Sequence, residues 1–169
     1  MTCLPNTGSF QFQTRQRASV ALVRRAVPDA GDRERVLRSR IMAAVRSKHT
    51  RPELAVRSVL HRLGFRFRLH DKNLPGCPDI VLKRYRCVVF VNGCFWHHHP
   101  GCRRARLPAT NVAFWTPKLL DNRRRDLANA KKLRDAGWRV AVAWECEVMK
   151  DLNAVGKKLA KFVGAPLAP

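Results

Sequence analysis

Acidic residues are scarce in this chain: 12 Asp and Glu stand against 34 Lys and Arg, for a formal net charge of +22. An ordinary solvated surface mixes both signs, so the imbalance implies a polyanionic partner. No amphipathic basic helix stands out, which puts nucleic acid ahead of a membrane surface. The plain alternative is a ribosome-associated or merely sticky basic protein. Long apolar runs are also missing. None approaches the ~18 residues of a membrane helix, so no membrane partner is expected. The N-terminal 30 residues contain no continuous apolar stretch of the secretory kind. Nothing therefore points to an oxidising compartment, and a disulfide framework is not the expected use of the 6 cysteines. A metal is the better reading of any that cluster. No internal repeat is apparent, and 169 residues with 46% hydrophobic content suit one domain with a real core.

Residues 1–34 differ from the rest. They are rich in Gln, Ser, Thr and Arg, have no acid before Asp29 and show no clean periodicity. They are expected to form a disordered, dispensable basic extension, although such a composition also fits an organelle transit peptide. Residues 35–150 are expected to form the main domain and 151–169 a C-terminal helix and tail. "SRIMAAVRSK" suits a short helix. "TRPELAVRSVLHRLG" marks a stronger one, with Thr50 and Glu53 as a capping box, Pro52 in the first turn and Gly64 as the stop. Strands are expected at 65–69, 79–82, 86–91 and 138–144. The third is apolar enough to be central and covered on both faces. A long helix is expected from about Pro117 to Ala136, and a weaker one over 151–163. The order α–β–β–β–loop–α–β–α predicts a small mixed α/β sheet flanked by helices.

The loop "GCFWHHHPGC" (93–102) carries the densest chemistry. Cys94, His99 and Cys102 have the spacing C-x4-H-x2-C, and a tetrahedral structural zinc site needs a fourth ligand. Cys146, just past the strand 138–144, is the candidate. His97, His98 and His99 are all within reach; His99 leaves the chain room to turn. Zinc suits the mixture of thiolate and imidazole. Cys3, Cys77 and Cys87 read as small buried hydrophobes. Phe95 and Trp96 are offered outward by the same loop. Being consecutive, they point in opposite directions if the loop is extended, which would leave one of them in the core.

"LPGCPDIVL" sets Asp79 at a strand start beside the hairpin partner "RCVVFV". In divalent-metal nucleases an aspartate so placed binds Mg²⁺. The bland reading is a turn residue. Glu53 offers a second carboxylate, although the capping box already explains it. His97, if zinc leaves it free, has the near-neutral imidazole that activating water requires.

Taken together, "LPGCPDIVLKRYRCVVFVNGCFWHHHPGC", "FWTPKLLDNRRRD" and "GWRVAVAWECE" strongly resemble the very short patch repair endonucleases over roughly residues 35–150. The resemblance implies a restriction-endonuclease-like fold with a structural zinc site. It implies a Mg²⁺-dependent, strand-specific nick on the 5′ side of the thymine in T·G mismatches left by 5-methylcytosine deamination. By position, Asp79 matches the metal-binding aspartate and Val91 the residue whose main-chain carbonyl reaches the metal. His97 matches the catalytic histidine and Glu53 the helix glutamate that orients water at the metal. Cys94, His99, Cys102 and Cys146 match the zinc ligands. Phe95, Trp96 and Trp115 match the aromatics that wedge into the duplex, and Lys118 and Asn122 fall where the family contacts DNA. Two departures stand out. Asn92 replaces a second active-site histidine, and an amide cannot shuttle a proton near neutral pH. One extra residue precedes Cys102, which keeps His98 beside His99 as a possible ligand.

Double-stranded DNA carrying a T·G mismatch is thus the expected partner, with mismatch-repair proteins as further candidates. A monomer in the cytoplasm, at the nucleoid in a bacterium, is the expectation. Two other functions compete: a zinc-stabilised DNA-binding protein with a decayed site marked by Asn92, and a restriction-type endonuclease with another substrate.

Overall fold

In the computed structural model, residues 48–164 are described, and ahead of them Gly31, Arg33, Val36, Ser39 and Arg40, which are helical. The chain divides after Val45 into two units. Those helical positions belong to the first unit. The rest of the expected extension 1–34, Cys3 included, and residues 41–47 of the expected short helix lie outside the described residues.

The second unit runs α1 (Arg51–Arg62), β1 (Arg68–Leu69), β2 (Ile80–Leu82), β3 (Cys87–Asn92), α2 (Val112–Asp135), β4 (Arg139–Trp144), α3 (Glu145–Lys150) and α4 (Leu152–Gly164). Helix α1 begins where its sequence says it should. Thr50 is extended (φ −67°, ψ 156°), and the Glu53 carboxylate accepts the Thr50 N–H at 3.2 Å. Past Leu63, Gly64 takes φ 85°, a conformation that costs glycine nothing. Val56, Val59 and Leu60 form the buried stripe.

The strands form one mixed sheet in the order β1-β2-β3-β4. β1 and β2 pair antiparallel, as do β2 and β3. β3 and β4 pair parallel from Cys87 opposite Arg139 to Asn92 opposite Trp144. A parallel pair needs a long crossover, and α2 provides it. Alternation along β3 then builds two cores. Cys87 and Val89 face Val56, Leu60, Val148, Val155, Leu159 and Val163 from α1, α3 and α4. Val88 faces Val81 and Leu133, the latter from α2, with Phe90, Trp138 and Val140 packed alongside. Val88 and Val89 are both fully buried. This is the doubly covered strand expected from its apolar run, in a mixed α/β fold. No helix among the described residues is long and apolar enough to cross a membrane.

Four local expectations need correction. The strand expected at 65–69 shrinks to Arg68–Leu69; β2 offers a partner for only that pair, while Phe65 and Phe67 pack against the core from outside the sheet. Helix α2 starts at Val112 rather than near Pro117. Proline forfeits one helical hydrogen bond, but the Asn111 carbonyl already receives the N–H groups of Phe114 and Trp115, and Trp115 is held by ring contacts described below. Helix α3 was not anticipated. It has only six residues, too few for a periodic signal, and it puts Cys146 on a first helical turn instead of a strand end. Finally, residues 93–99 are coiled rather than extended: N–H groups of His97, His98 and His99 reach the carbonyls of Gly93, Phe95 and Cys94. Phe95 and Trp96 therefore do not diverge.

Helices α1 and α4 approach so closely that a Cβ built on Gly156 would fall 2.7 Å from Val59 Cγ2. Gly156→Ala is expected to lower stability in urea denaturation. Overpacking costs ~1–3 kcal/mol, which outweighs the ~1 kcal/mol by which alanine is the better helix former. An unchanged or higher midpoint would mean that Val59 yields without strain.

Candidate functional site

The two parallel strands deliver their C-terminal exits side by side. Past Asn92 comes Cys94, and past Trp144 comes Cys146. The Glu145 carboxylate accepts the Cys94 N–H at 3.3 Å, and the Cys146 N–H reaches Cys94 Sγ at 3.4 Å. Around this junction Cys94, His99, Cys102 and Cys146 gather with their ligand atoms all within 4.8 Å of one another. His99 Nδ1 lies 3.7 Å from Cys94 Sγ and 3.4 Å from Cys146 Sγ. Its ring stacks on Trp144 with centroids 4.0 Å apart. His98 is not in the group; its backbone is left-handed (φ 47°) and its Nδ1 is buried without a partner. Burial pushes the Cys94 thiol up to about 12. A dication among these donors would reverse that, because ligation requires the thiolate. Three sulfurs and one imidazole nitrogen suit a tetrahedral, borderline-soft ion. Of the remaining described cysteines, Cys87 is fully buried in β3 and Cys77 is half-buried.

Beside the cluster the aromatics form one patch. Phe95 lies 5.2 Å from Trp96 and 5.2 Å from Trp115, centroid to centroid, and Trp96 lies 6.0 Å from Trp115. All three are half-buried, and Phe114, in ring contact with Trp115, is exposed. Helix α2 grips this loop at two points one turn apart. Asn122 Nδ2 donates to the Trp96 carbonyl at 3.0 Å, and His97 Nδ1 meets Asp126 Oδ2 at 2.5 Å. Residues i and i+4 share a helix face, so a single face clamps two consecutive loop residues. Asn122 is buried and also accepts from Arg125. Its amide holds the loop that bears Trp96. Lys118 is exposed on the same helix, as are Arg123, Arg124 and Arg125, and Arg103, Arg104 and Arg106 follow the cluster.

A cleft of about 310 Å³ opens next to the loop, lined by His70, Asp79, Val91, Asn92, His97 and Asp126 among others. Asp79 Oδ2 accepts the Val91 N–H at 2.7 Å. Burial pushes the Asp79 carboxyl above the usual aspartate range, against the pull of that N–H and of His70, Arg57 and His97. Glu53 is the exception. It is 2% exposed and sits behind the cleft, paired with Arg57. Two groups join Glu53 and Asp79 that sequence reasoning passed over. His70 Nε2 lies 3.0 Å from Glu53 Oε1, and its Nδ1 lies 3.8 Å from Asp79 Oδ1. Arg57 reaches both His49 Nδ1 (2.9 Å) and His70 Nε2 (2.8 Å). Burial lowers the pKa of His70 and of Arg57 alike.

Asp126 was also missed. An acid at the end of an arginine run reads as surface charge balance, and nothing local ties it to His97. His70 had one available signal: it stands directly after a strand candidate, as Asp79 stands directly before one. In chemical terms the cleft combines an aspartate held by a backbone donor with an imidazole oriented by a carboxylate. That pairing can hold a cation and move a proton at neighbouring points.

Comparison with known proteins gives a consistent result. Residues 29–104 match the family model described as DNA mismatch endonuclease Vsr. The chain is 54% identical over 123 residues to the type II nicking enzyme V.XorIIP of Xanthomonas oryzae pv. oryzae, covering 73% of this chain and 89% of that protein. It is 45% identical over 111 residues to the type II nicking enzyme V.NmeAIP of Neisseria meningitidis serogroup A, covering 66% and 79%. It is 42% identical over 113 residues to DNA mismatch endonuclease Vsr of Escherichia coli K12, covering 67% and 72%.

Cys146→Ser tests the four-donor cluster. The variant is expected to lose bound metal by elemental analysis, from about one ion per chain, and to melt at a lower temperature, because ligation and folding are coupled. Wild-type protein purified without chelator and found free of metal would remove the cluster's assignment.

Proposed function

The chain belongs to the Vsr family of DNA mismatch endonucleases and is an endonuclease acting on DNA, and on that footing we propose that it nicks one strand of a duplex on the 5′ side of the thymine in a T·G mismatch, the lesion left when 5-methylcytosine deaminates. The observation that carries this reading is the convergence of Asp79, Val91 and the His97–Asp126 pair in one cleft beside the Phe95–Trp96–Trp115 patch. A restriction-endonuclease-like fold belongs to the same reading, supported by the mixed sheet whose second strand begins directly after Asp79.

The donor set fits the cation that the family implies. Asp79 and the main-chain carbonyl of Val91 are hard oxygen donors, as Mg²⁺ requires. A dication held there supplies Lewis-acid stabilisation of the scissile phosphate and lowers the pKa of water. The chain's own residues do the rest. Asp126 fixes the ring of His97, which takes or gives the proton at its free nitrogen, Nε2. Asn92 can orient a water or a phosphate oxygen by hydrogen bonding but does not titrate. Cys94, His99, Cys102 and Cys146 hold structural zinc and stiffen the loop. Phe95, Trp96 and Trp115 act as the wedge. Unstacking costs a few kcal/mol per step and costs least at a mismatch, so the wedge selects as well as grips. Lys118 and the exposed arginines hold phosphates without regard to sequence. The reading includes action as a monomer, in the cytoplasm where bacterial DNA lies, with mismatch-repair proteins as further partners.

Nicking of a T·G duplex in Mg²⁺, measured against a T·A control, separates this function from a catalytically silent DNA binder and from a nuclease with another substrate. Asp79→Asn is expected to abolish nicking while mismatch binding persists, since the amide keeps the shape and loses the charge that holds the cation. Near wild-type cutting by that variant would exclude Asp79 as the ligand.

Trp96→Ala is expected to narrow the affinity gap between T·G and T·A duplexes by ~1–3 kcal/mol, the worth of stacking on one base. The salt dependence of both affinities should stay unchanged, because it reports phosphate contacts. Equal losses on the two duplexes would give Trp96 a packing role and pass the wedge to Phe95 or Trp115.

A further inference from the structure

We infer that His70 is a direct ligand of the cation at Asp79, binding through Nδ1, with Glu53 behind it as the carboxylate that receives its Nε2 proton. The inference rests on reading Asp79 as the cation-binding aspartate and adds a donor to that site.

Glu53, His70 and Asp79 can bring one ligand atom each within 4.8 Å of one another, but they are not equivalent. His70 and Asp79 line the cleft; Glu53 is 2% exposed and lies behind them. The two ring nitrogens of His70 face different carboxylates. Nδ1 is 3.8 Å from Asp79 Oδ1, and Nε2 is 3.0 Å from Glu53 Oε1. Donors about 2.1 Å from a shared ion can stand at most about 4.2 Å apart, so one cation can bridge Nδ1 and Oδ1. A carboxylate on the far nitrogen is the usual support of a metal-binding histidine.

His70 Nε2 stands between a donor, Arg57 Nη2 at 2.8 Å, and an acceptor, Glu53 Oε1 at 3.0 Å. Glu53 Oε1 is buried and also meets the Arg57 guanidinium. An Nε2–H donated to Oε1 leaves the Nδ1 lone pair free toward Asp79, the tautomer that ligation at Nδ1 requires. Arg57 retains Glu53 and its 2.9 Å bond to His49. The cleft thus offers two imidazoles, His70 and His97, although position 92 carries an amide. A nitrogen donor also shifts the site's preference from Mg²⁺ toward Mn²⁺.

The test uses Mn²⁺ with the full chain. Free-ion titration by electron paramagnetic resonance gives the affinity, and pulsed measurements detect ¹⁴N coupling from a ligated imidazole. Wild type is expected to show that coupling, His97→Gln to keep it, and His70→Gln to lose it while binding Mn²⁺ at least ~10-fold more weakly. Asp79→Asn is expected to lose binding. Should Asp79→Asn bind as wild type, the cation-site reading itself fails. Should Asp79→Asn lose binding while His70→Gln keeps both coupling and affinity, only the inference about His70 is overturned. A second measurement needs no variant at position 70. Long-range ¹H–¹⁵N correlation of wild-type histidine rings should show one Nε2–H ring whose Nδ1 resonance shifts as Mg²⁺ saturates the site. Saturation that shifts no ring's Nδ1 resonance overturns the inference.

Discussion

The parallel pairing of β3 with β4 runs to Asn92 opposite Trp144, and the Cys/His cluster and the aromatic loop are assembled beyond that last rung. Two chain segments leave the sheet there in the same direction. One carries Cys94 and the aromatic loop; the other carries Glu145 and Cys146. Their proximity allows Glu145 to take the Cys94 N–H and Cys146 to meet the same sulfur. A slip of one residue would turn alternate side chains to the wrong face and unmake both the core and the junction. The pairing is secured by burial: Val88 and Val89 are fully enclosed on opposite faces, each worth ~1.5–3 kcal/mol relative to exposure.

From this junction the loop must project aromatics without collapsing onto the core. A long loop pays ordering entropy for every fixed residue. Three restraints offset that cost. The Cys/His cluster ties the loop base, the coiled backbone of residues 93–99 satisfies its own N–H groups, and one face of α2 clamps Trp96 and His97 through Asn122 and Asp126. The same clamp that positions the aromatic patch therefore orients the imidazole of the cleft. Aromatic patch and imidazole are thereby held at a fixed spacing.

Behind the cleft the chain accepts an expensive arrangement. Glu53 and Arg57 are both buried, and buried ion pairs seldom stabilise a fold more than apolar packing would. Their value is in placement. Glu53 and Arg57 are one turn apart on α1, and together they back the His70 ring that faces Asp79.

Much of this was legible locally. The capping box at Thr50 and Glu53, the hairpin of Asp79-led β2 with β3, the covered character of β3 and the C-x4-H-x2-C spacing depend on neighbouring residues and on periodicity, which sequence carries directly. Motif resemblance further picked out Asp79, His97 and the aromatics. What it could not reach were His70, Arg57 and Asp126, the six-residue α3, and the common side taken by Phe95 and Trp96. Asp126 meets a histidine 29 residues away, and Asn122 a carbonyl 26 away. Such distances are closed by sheet register and helix docking, which no local pattern encodes. The sequence by itself determined a basic mixed α/β chain and the Cys/His spacing from which its four-donor cluster is built. Tertiary structure decided which side chains meet, because a hydrogen bond or a ligand set needs atoms within a few ångströms, and only the packed sheet and helices fix positions that finely.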